Sequence, residues 1–248
     1  MEIKILRNQG NKLDFAIKGV DVAFVNTLRR AIISEVPVLA IEEVNFLKNT
    51  SALYDEILAH RLGLIPLKTD LKSYKLPEKP EDLESPTCHL NLNLKAKGPI
   101  TVYSSDLVSQ DPQVHPVYDK MPIVKLDKSQ KLEFEAVAIM GQGKQHMKFS
   151  PALAYYRYMP SIKAVKDSSH KVEITKDAVK INGVEYSVLD PKLEAFQDTA
   201  VSIEPVENEF IFSIESWGQL NPKDILVSAL EILENKFEEF NKKLKKAK

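Results

Sequence analysis

Asn26 to Pro37 reads NTLRRAIISEVP, and shortly after it Asn49 to Leu67 reads NTSALYDEILAHRLGLIPL. Two adjacent arginines, Arg29 and Arg30, stand inside an apolar helical pattern. Phe24, Leu28 and Ile32 recur every four residues and so share one helical face. Val22, Val25 and Ala31 add to the apolar content. The spacing predicts a helix over 21–34 that starts at Asp21 or the preceding Gly19. It ends before Pro37, because the residue before a proline is pushed out of the α region. Arg29 and Arg30 project about 100° apart around the axis. They read either as a solvated charge pair on an amphipathic helix or as planar, bidentate donors for carboxylates on another chain. No nucleophile, metal cluster or phosphate loop accompanies them, which suggests a surface built for assembly.

Working outward, Glu2–Leu6 and Lys12–Lys18 read as strands around the turn-rich Asn8-Gln9-Gly10. Val38–Leu47 is a strand. A second helix is expected over Ala52–Leu62, capped by Asn49, Thr50 or Ser51, with Asp55 and Glu56 at its positive end and Gly63 as its stop. Residues 69–86 are rich in Lys, Glu, Ser and Pro and read as a boundary or long loop. Beyond them Leu90, Leu92, Leu94 and Ala96 alternate with polar residues, as do Leu132, Phe134, Ala136, Ala138 and Met140. Such alternation marks half-buried strands. Residues 67–160 therefore form a β-rich unit between helical parts. In the smaller region 161–205, Ala178–Ile181, Asn182-Gly183 and Val184–Val188 give a tight hairpin signal, and Pro191–Ala200 a short helix. Phe210, Phe212 and Ile214 alternate in a strand that Trp217-Gly218 breaks.

The last helix has Asn221 as cap, Pro222 at its first position and Asp224 in its first turn. Leu226, Leu230, Leu233, Phe237, Phe240 and Leu244 follow at spacings of 4, 3, 4, 3, 4, the period of helices packed along their length. Ile225, Ala229 and Ile232 widen the stripe. The seam is roughly 27 Å long at 1.5 Å per residue. Burying six such side chains is worth on the order of 9–18 kcal/mol, so the helix packs on its own domain or on a partner's equivalent helix. The Lys-rich tail from Lys242 complements the helix dipole.

Composition narrows the function. The chain has 248 residues, 44% hydrophobic and 28% charged, which is ordinary for a folded protein. No apolar run is long enough to span a membrane, and MEIKILRNQGNKLDF is not a signal peptide. A net charge of −1 argues against the whole chain acting as an electrostatic nucleic-acid binder. Cys88 is the single cysteine, which excludes an internal disulfide and a cysteine-built metal site. His60, His89, His115, His146 and His170 have no ligand spacing. Met140–Gln145, MGQGKQ, lacks the first glycine and the hydroxyl residue of a phosphate loop, and reads as a flexible turn. No carboxylate pair stands out as an acid–base couple, so no catalytic residue is expected on this chain.

Together these segments resemble a known family. NTLRRAIISEVP resembles the first dimerisation helix of the α-like subunits of multisubunit RNA polymerases. HRLGLIPL, His60 to Leu67, matches the archaeal D subunits more specifically than the bacterial α subunit. HMKFSPALAYYRY, His146 to Tyr158, resembles another family landmark, and NPKDILVSALEILENKFEEF the C-terminal dimerisation helix. In order, they cover most of the chain.

The resemblance implies an α+β fold: a split dimerisation domain (an antiparallel sheet with two to three helices) from 1–66 and 206–248, a β-rich insert at 67–160, and a small degenerate ferredoxin-like domain at 161–205. It implies a non-catalytic, cytoplasmic assembly subunit of DNA-directed RNA polymerase, a nucleotidyltransferase complex acting in transcription. The expected partners are the small α-like subunit L, subunits N and P, and the large catalytic subunits. The interface residues carried over are Asn26, Thr27, Arg29, Arg30, Arg61 and the seam Leu226, Leu230, Leu233, Phe237, Phe240 and Leu244. Phe24, Leu28 and Ile32 are expected to hold the first helix to its own domain while Arg29 or Arg30 docks a catalytic subunit. Two features depart from relatives. Some carry an iron–sulfur cluster, which needs several cysteines; region 161–205 has none, so no cofactor is expected. Bacterial α also carries a separate DNA-binding domain, and no direct sequence-specific DNA recognition is expected here. A free-standing homodimeric interaction module is the alternative.

Overall fold

The computed structural model describes residues 1–77, 79, 81–82, 85–165, 170–175, 178–187 and 190–246. In chain order its elements begin with strands β1 (Glu2–Gln9) and β2 (Lys12–Lys18), helix α1 (Val22–Ser34), strand β3 (Pro37–Asn49) and helix α2 (Asp55–Gly63). There follow β4 (His89–Lys97), β5 (Ile100–Tyr103), β6 (Val108–Ser109), β7 (Pro122–Leu126), β8 (Lys131–Gln142) and β9 (Ala152–Ala164). The last are β10 (Val172–Ile174), β11 (Ala178–Ile181), β12 (Val184–Ser187), β13 (Val201–Ser216) and helix α3 (Pro222–Lys246). The class is mixed α and β, as expected. The chain divides into two compact units. One holds Met1–Leu6, Asp14–Val25 and Tyr156–Ser213; the other holds Arg7–Leu13, Asn26–Tyr155 and the segment from Ile214 onward.

In the first unit a four-stranded sheet runs in the order β1-β2-β13-β9, so strands from distant parts of the sequence meet. Aromatic contacts tie the strands together. Phe15 of β2 stacks on Phe212 of β13 at 5.2 Å, and Tyr156 of β9 meets Phe210 edge-on at 5.9 Å. Each such pair adds about 0.5–1.5 kcal/mol beyond its buried area. From Phe210 to Ser213 every residue of β13 is buried, so this strand is covered on both faces rather than half-buried. The same unit holds a small antiparallel sheet, β10-β11-β12. Asn182 and Gly183 sit at φ 50° and 85° between β11 and β12, the pair of positive φ values a two-residue hairpin demands. Val188, expected to end β12, lies outside the described residues. The helix expected over 191–200 is a six-residue 3-10 turn, Pro191–Phe196, with Asp190 accepting from the Lys192 N–H. Val179, Ile181, Leu193, Ala200 and Val201 form its core.

The second unit is built on the sheet β3-β8-β4-β6, with β5 and β7 paired beside it. The alternation reads directly onto its faces. Leu132, Phe134, Ala136, Ala138 and Met140 of β8 and Leu90, Leu92 and Leu94 of β4 all point into one core. β3 pairs antiparallel with β8 from Pro37↔Gln142 to Asn49↔Leu132, with bulges at Ile41/Glu43 and Phe46/Lys48. Leu39 and Ile41 of β3 and Leu58 and Leu62 of α2 enter the same core as the strands of 67–160. The compact units therefore divide the chain differently from boundaries drawn at 66 and 160, because β3 finds its partner strand some ninety residues later.

Helix α2 begins at Asp55, not Ala52, and Asn49, Thr50 and Ser51 do not cap it. Its N-cap position is Tyr54, without a side-chain cap. Asn49 instead donates to the Leu53 carbonyl and to Asp55 and accepts from the Ser51 N–H. These local bonds stabilise a turn in place of the first helical turn. Gly63 is the last helical residue, not a stop beyond the helix; a Cβ there would meet the Ile41 carbonyl at 3.4 Å.

The glycines of MGQGKQ have a packing cause, so the segment is a fitted joint and not a loose turn. A Cβ on Gly141 would lie 2.6 Å from the Phe149 ring, and one on Gly143 only 2.0 Å from the Ile33 carbonyl at the end of α1. The N–H groups of Gln142, Lys144 and Gln145 are bonded to Gln145 Oε1, the Ser34 carbonyl and the Gln142 carbonyl. They are not open to a phosphate. Gly143→Ala is expected to lower stability by about 1–3 kcal/mol, read as a shift in the urea midpoint of the full chain. A wild-type midpoint would mean that the loop yields freely.

Candidate assembly interface

Helix α1 starts where Asp21 Oδ1 accepts the Phe24 N–H at 2.8 Å, an N-cap that satisfies one of the orphan donors. Its buried face is Val25, Leu28, Ala31 and Ile32. Phe24 does not belong to that face. It is 38% exposed, and Val25 takes the inner place assigned to it. At about 100° per residue, Val25, Leu28 and Ile32 at i, i+3, i+7 form a narrower stripe than Phe24, Leu28 and Ile32.

The two arginines have different surroundings. Arg29 is half-buried, and its Nε and Nη2 both donate to Asn26 Oδ1, at 3.2 and 3.0 Å. Arg30 is exposed, and its guanidinium has no ion pair among the described residues. Arg29 is thus spent on fixing its own helix, while Arg30 presents its planar fork of donors to solvent. Thr27 is exposed beside them. Arg61 lies in the last turn of α2, where a cation suits the dipole, and its guanidinium donates to the Pro122 carbonyl. Leu64, just beyond, is exposed.

Helix α3 shows two apolar faces rather than one broad stripe. Ile225 and Ala229 are fully buried. Leu226, Ile232 and Leu233 are half-buried. Leu230, Phe237, Phe240 and Leu244 are 43%, 64%, 62% and 54% exposed. From Glu234 onward every described residue is exposed. Burying those four exposed side chains is worth on the order of 6–12 kcal/mol, which soluble surfaces seldom leave unclaimed. The exposed end is held to its own unit by Glu35, just past α1. Lys236 Nζ donates to Glu35 Oε1 at 2.8 Å, Lys144 lies 3.5 Å from Oε2, and Gln142 Nε2 donates to the Glu35 carbonyl. Sequence reasoning missed Glu35, because its partners stand about 100 and 200 residues away and leave no local pattern.

The hydrogen bond from Lys236, with the positive charges of Lys236 and Lys144, holds the Glu35 carboxyl below its ordinary value against an opposing effect of burial. A depressed folded value means the contribution is complete above about pH 4.5 and is lost as pH falls through the folded value. Partly exposed pairs of this kind are worth about 1 kcal/mol or less. Glu35→Gln is therefore expected to lower the pH 7 midpoint slightly and to flatten its fall below about pH 4.5. Equal acid sensitivity in both proteins would show that the cluster contributes nothing.

Among the described residues no group of three His, Cys, Asp or Glu side chains could hold a metal, and no helix is long and apolar enough to cross a membrane. The chain matches the model of the RNA polymerase Rpb3/Rpb11 dimerisation domain over residues 14–237. It is 39% identical to the DNA-directed RNA polymerase subunit Rpo3 of Pyrococcus furiosus, covering 99% of this chain and 98% of that one. It is 38% identical to the Rpo3 subunit of Methanothermobacter thermautotrophicus, covering 96% and 97%. The Rpo3 subunit of Methanobrevibacter smithii is 33% identical, with 97% of each covered.

Proposed function

The chain belongs to the RNA polymerase Rpb3/Rpb11 dimerisation family, with archaeal Rpo3 subunits as full-length relatives, and from that premise we propose that it is a non-catalytic assembly subunit of a DNA-directed RNA polymerase. It heterodimerises with the small α-like subunit L, joins subunits N and P, and forms the cytoplasmic platform on which the large catalytic subunits assemble. One observation carries this reading: α3 presents Leu230, Phe237, Phe240 and Leu244 between 43% and 64% exposed, and from Glu234 onward every described residue of the helix is exposed. A seam with that repeat calls for a second helix along its length. Arg30 and Thr27, exposed on α1, and Arg61 with Leu64, at the end of α2, are the contacts offered to larger partners.

Region 161–205 is a degenerate relative of the cluster-bearing ferredoxin-like domain and holds no iron. A cluster needs four thiolates or their equivalents, whereas Cys88 is the only cysteine and is buried in the other unit. Co-expression with candidate subunits tests the function. The expected result is a stable one-to-one complex with the small α-like subunit, free of stoichiometric iron. A soluble homodimer that ignores that subunit would establish the interaction-module alternative instead, and an iron–sulfur absorption band would refute the cluster-free assignment.

A further inference from the structure

We infer that the outward face of the β3-β8-β4 sheet, at the end carrying Lys48, Lys95, Lys97 and Lys131, binds the phosphate backbone of a nucleic acid without reading its sequence. The register builds this face. Lys48 of β3 and Lys95 of β4 both stand opposite Glu133 of β8, so they form one cross-strand row. Two residues along, Lys131 stands directly opposite Lys97. Leu132, Phe134 and Leu94 alternate with these residues and point into the core, so the charged rows point to solvent. They line a shallow depression of about 310 Å³.

Four lysines against Glu133 leave three positive charges on these two rows, and Glu135, exposed in the next row of the same face opposite Asn45 and Asn93, brings the wider balance to two. Glu133 is claimed by Lys95 at 2.8 Å. Lys48, Lys97 and Lys131 are exposed and make no ion pair among the described residues. The neighbouring turn, Asp127 and Lys128, adds one charge of each sign. Like charges placed directly opposite on a sheet destabilise it. An anion laid across the rows converts that repulsion into attraction.

The chemistry of the patch selects the anion. Recognition of carboxylates on a protein favours arginine forks, and a protein interface has an apolar or aromatic centre. These two rows contain neither. Lysines act as point charges, which suits phosphates contacted without sequence information. Strands about 4.8 Å apart make the patch about 10 Å wide. Along that distance a duplex carries about six phosphates, one per 1.7 Å of its axis over both strands, enough to supply one to each of the three unpaired lysines. The whole-chain charge of −1 does not oppose this local balance, since exposed charges beyond about 10 Å are largely screened.

The test is fluorescence anisotropy of a labelled 24-base-pair duplex of arbitrary sequence titrated with the full chain. It needs no other subunit, so it fails or succeeds independently of the assembly role. Three neutralised phosphates predict a loss of about 40-fold in affinity between 50 and 200 mM salt. Lys48→Gln/Lys97→Gln/Lys131→Gln should weaken binding at least tenfold at 50 mM salt and reduce the log–log salt slope by about 2.7. Lys242→Gln/Lys245→Gln/Lys246→Gln, in the α3 tail, should retain the wild-type slope. Wild-type affinity and slope in the sheet variant would overturn the proposal, as would loss of binding in the tail variant alone. Displacement of the duplex by polyglutamate at equal charge concentration would identify an acidic-protein site and equally overturn it.

Discussion

Replacing Phe237 and Phe240 together by Asp is expected to abolish co-purification of the chain with the proposed small α-like subunit while leaving the chain itself folded. Both rings are more than 60% exposed, so the isolated chain loses little when they go. Surface changes of this kind fall within about 0.5 kcal/mol, and the thermal midpoint should move by no more than about 2 °C. In the assembly each lost ring removes about 1.5–3 kcal/mol of burial, and each new carboxylate is desolvated without a partner. The burial loss alone weakens association at least about a hundredfold, since 1.4 kcal/mol is a factor of ten. Asn235→Asp, about 200° around the helix from Leu233, carries a similar charge on the opposite face and should bind normally. Gel filtration of co-expressed subunits reads the outcome directly. An intact complex with the double variant would show that the seam is not the contact.

The second large effect is on stability. Phe134→Ala is expected to cost about 3–5 kcal/mol. Phe134 is 1% exposed in the middle of β8, with strand neighbours on both sides and Phe46 tilted against it at 5.7 Å. Removing the ring leaves a cavity that three paired strands cannot collapse to fill. Trp217, the only tryptophan, lies in the same compact unit, so its fluorescence during urea unfolding reports that unit. A midpoint change worth less than about 1 kcal/mol would mean that the core repacks around the gap. The same unit contains α3 and most of α1, so its loss removes the proposed assembly surface as well.

Local patterns were legible where one residue's neighbours in sequence decide its environment. Period-two alternation placed Leu132 to Met140 on the core side of β8, because a strand has only two faces. Asn182-Gly183 was legible for a similar reason, since few residue pairs accept two positive φ values. The start of α2 was misjudged where two local options competed, and Asn49 chose the turn. The 3-10 form of 191–196 and the burial of both faces of β13 depended on neighbours that no window contains. The glycines of MGQGKQ looked like flexibility because the Ile33 carbonyl and the Phe149 ring that require them are supplied by tertiary packing.

The family, the mixed class and the seam from Leu226 to Leu244 were determined by the sequence alone, because motif order and helical period are properties of the chain itself. Which side of each helix is spare was decided only by the tertiary structure. It exposed Phe24 in place of Val25, bound Arg29 to Asn26 and left Arg30 exposed without an ion pair among the described residues. It buried Ile225 and Ala229 so that Phe237 and Phe240 remained outside. The physical reason is that an amphipathic stripe specifies burial but not the surface that provides it, and only packing distributes the stripe between the chain's own core and a partner.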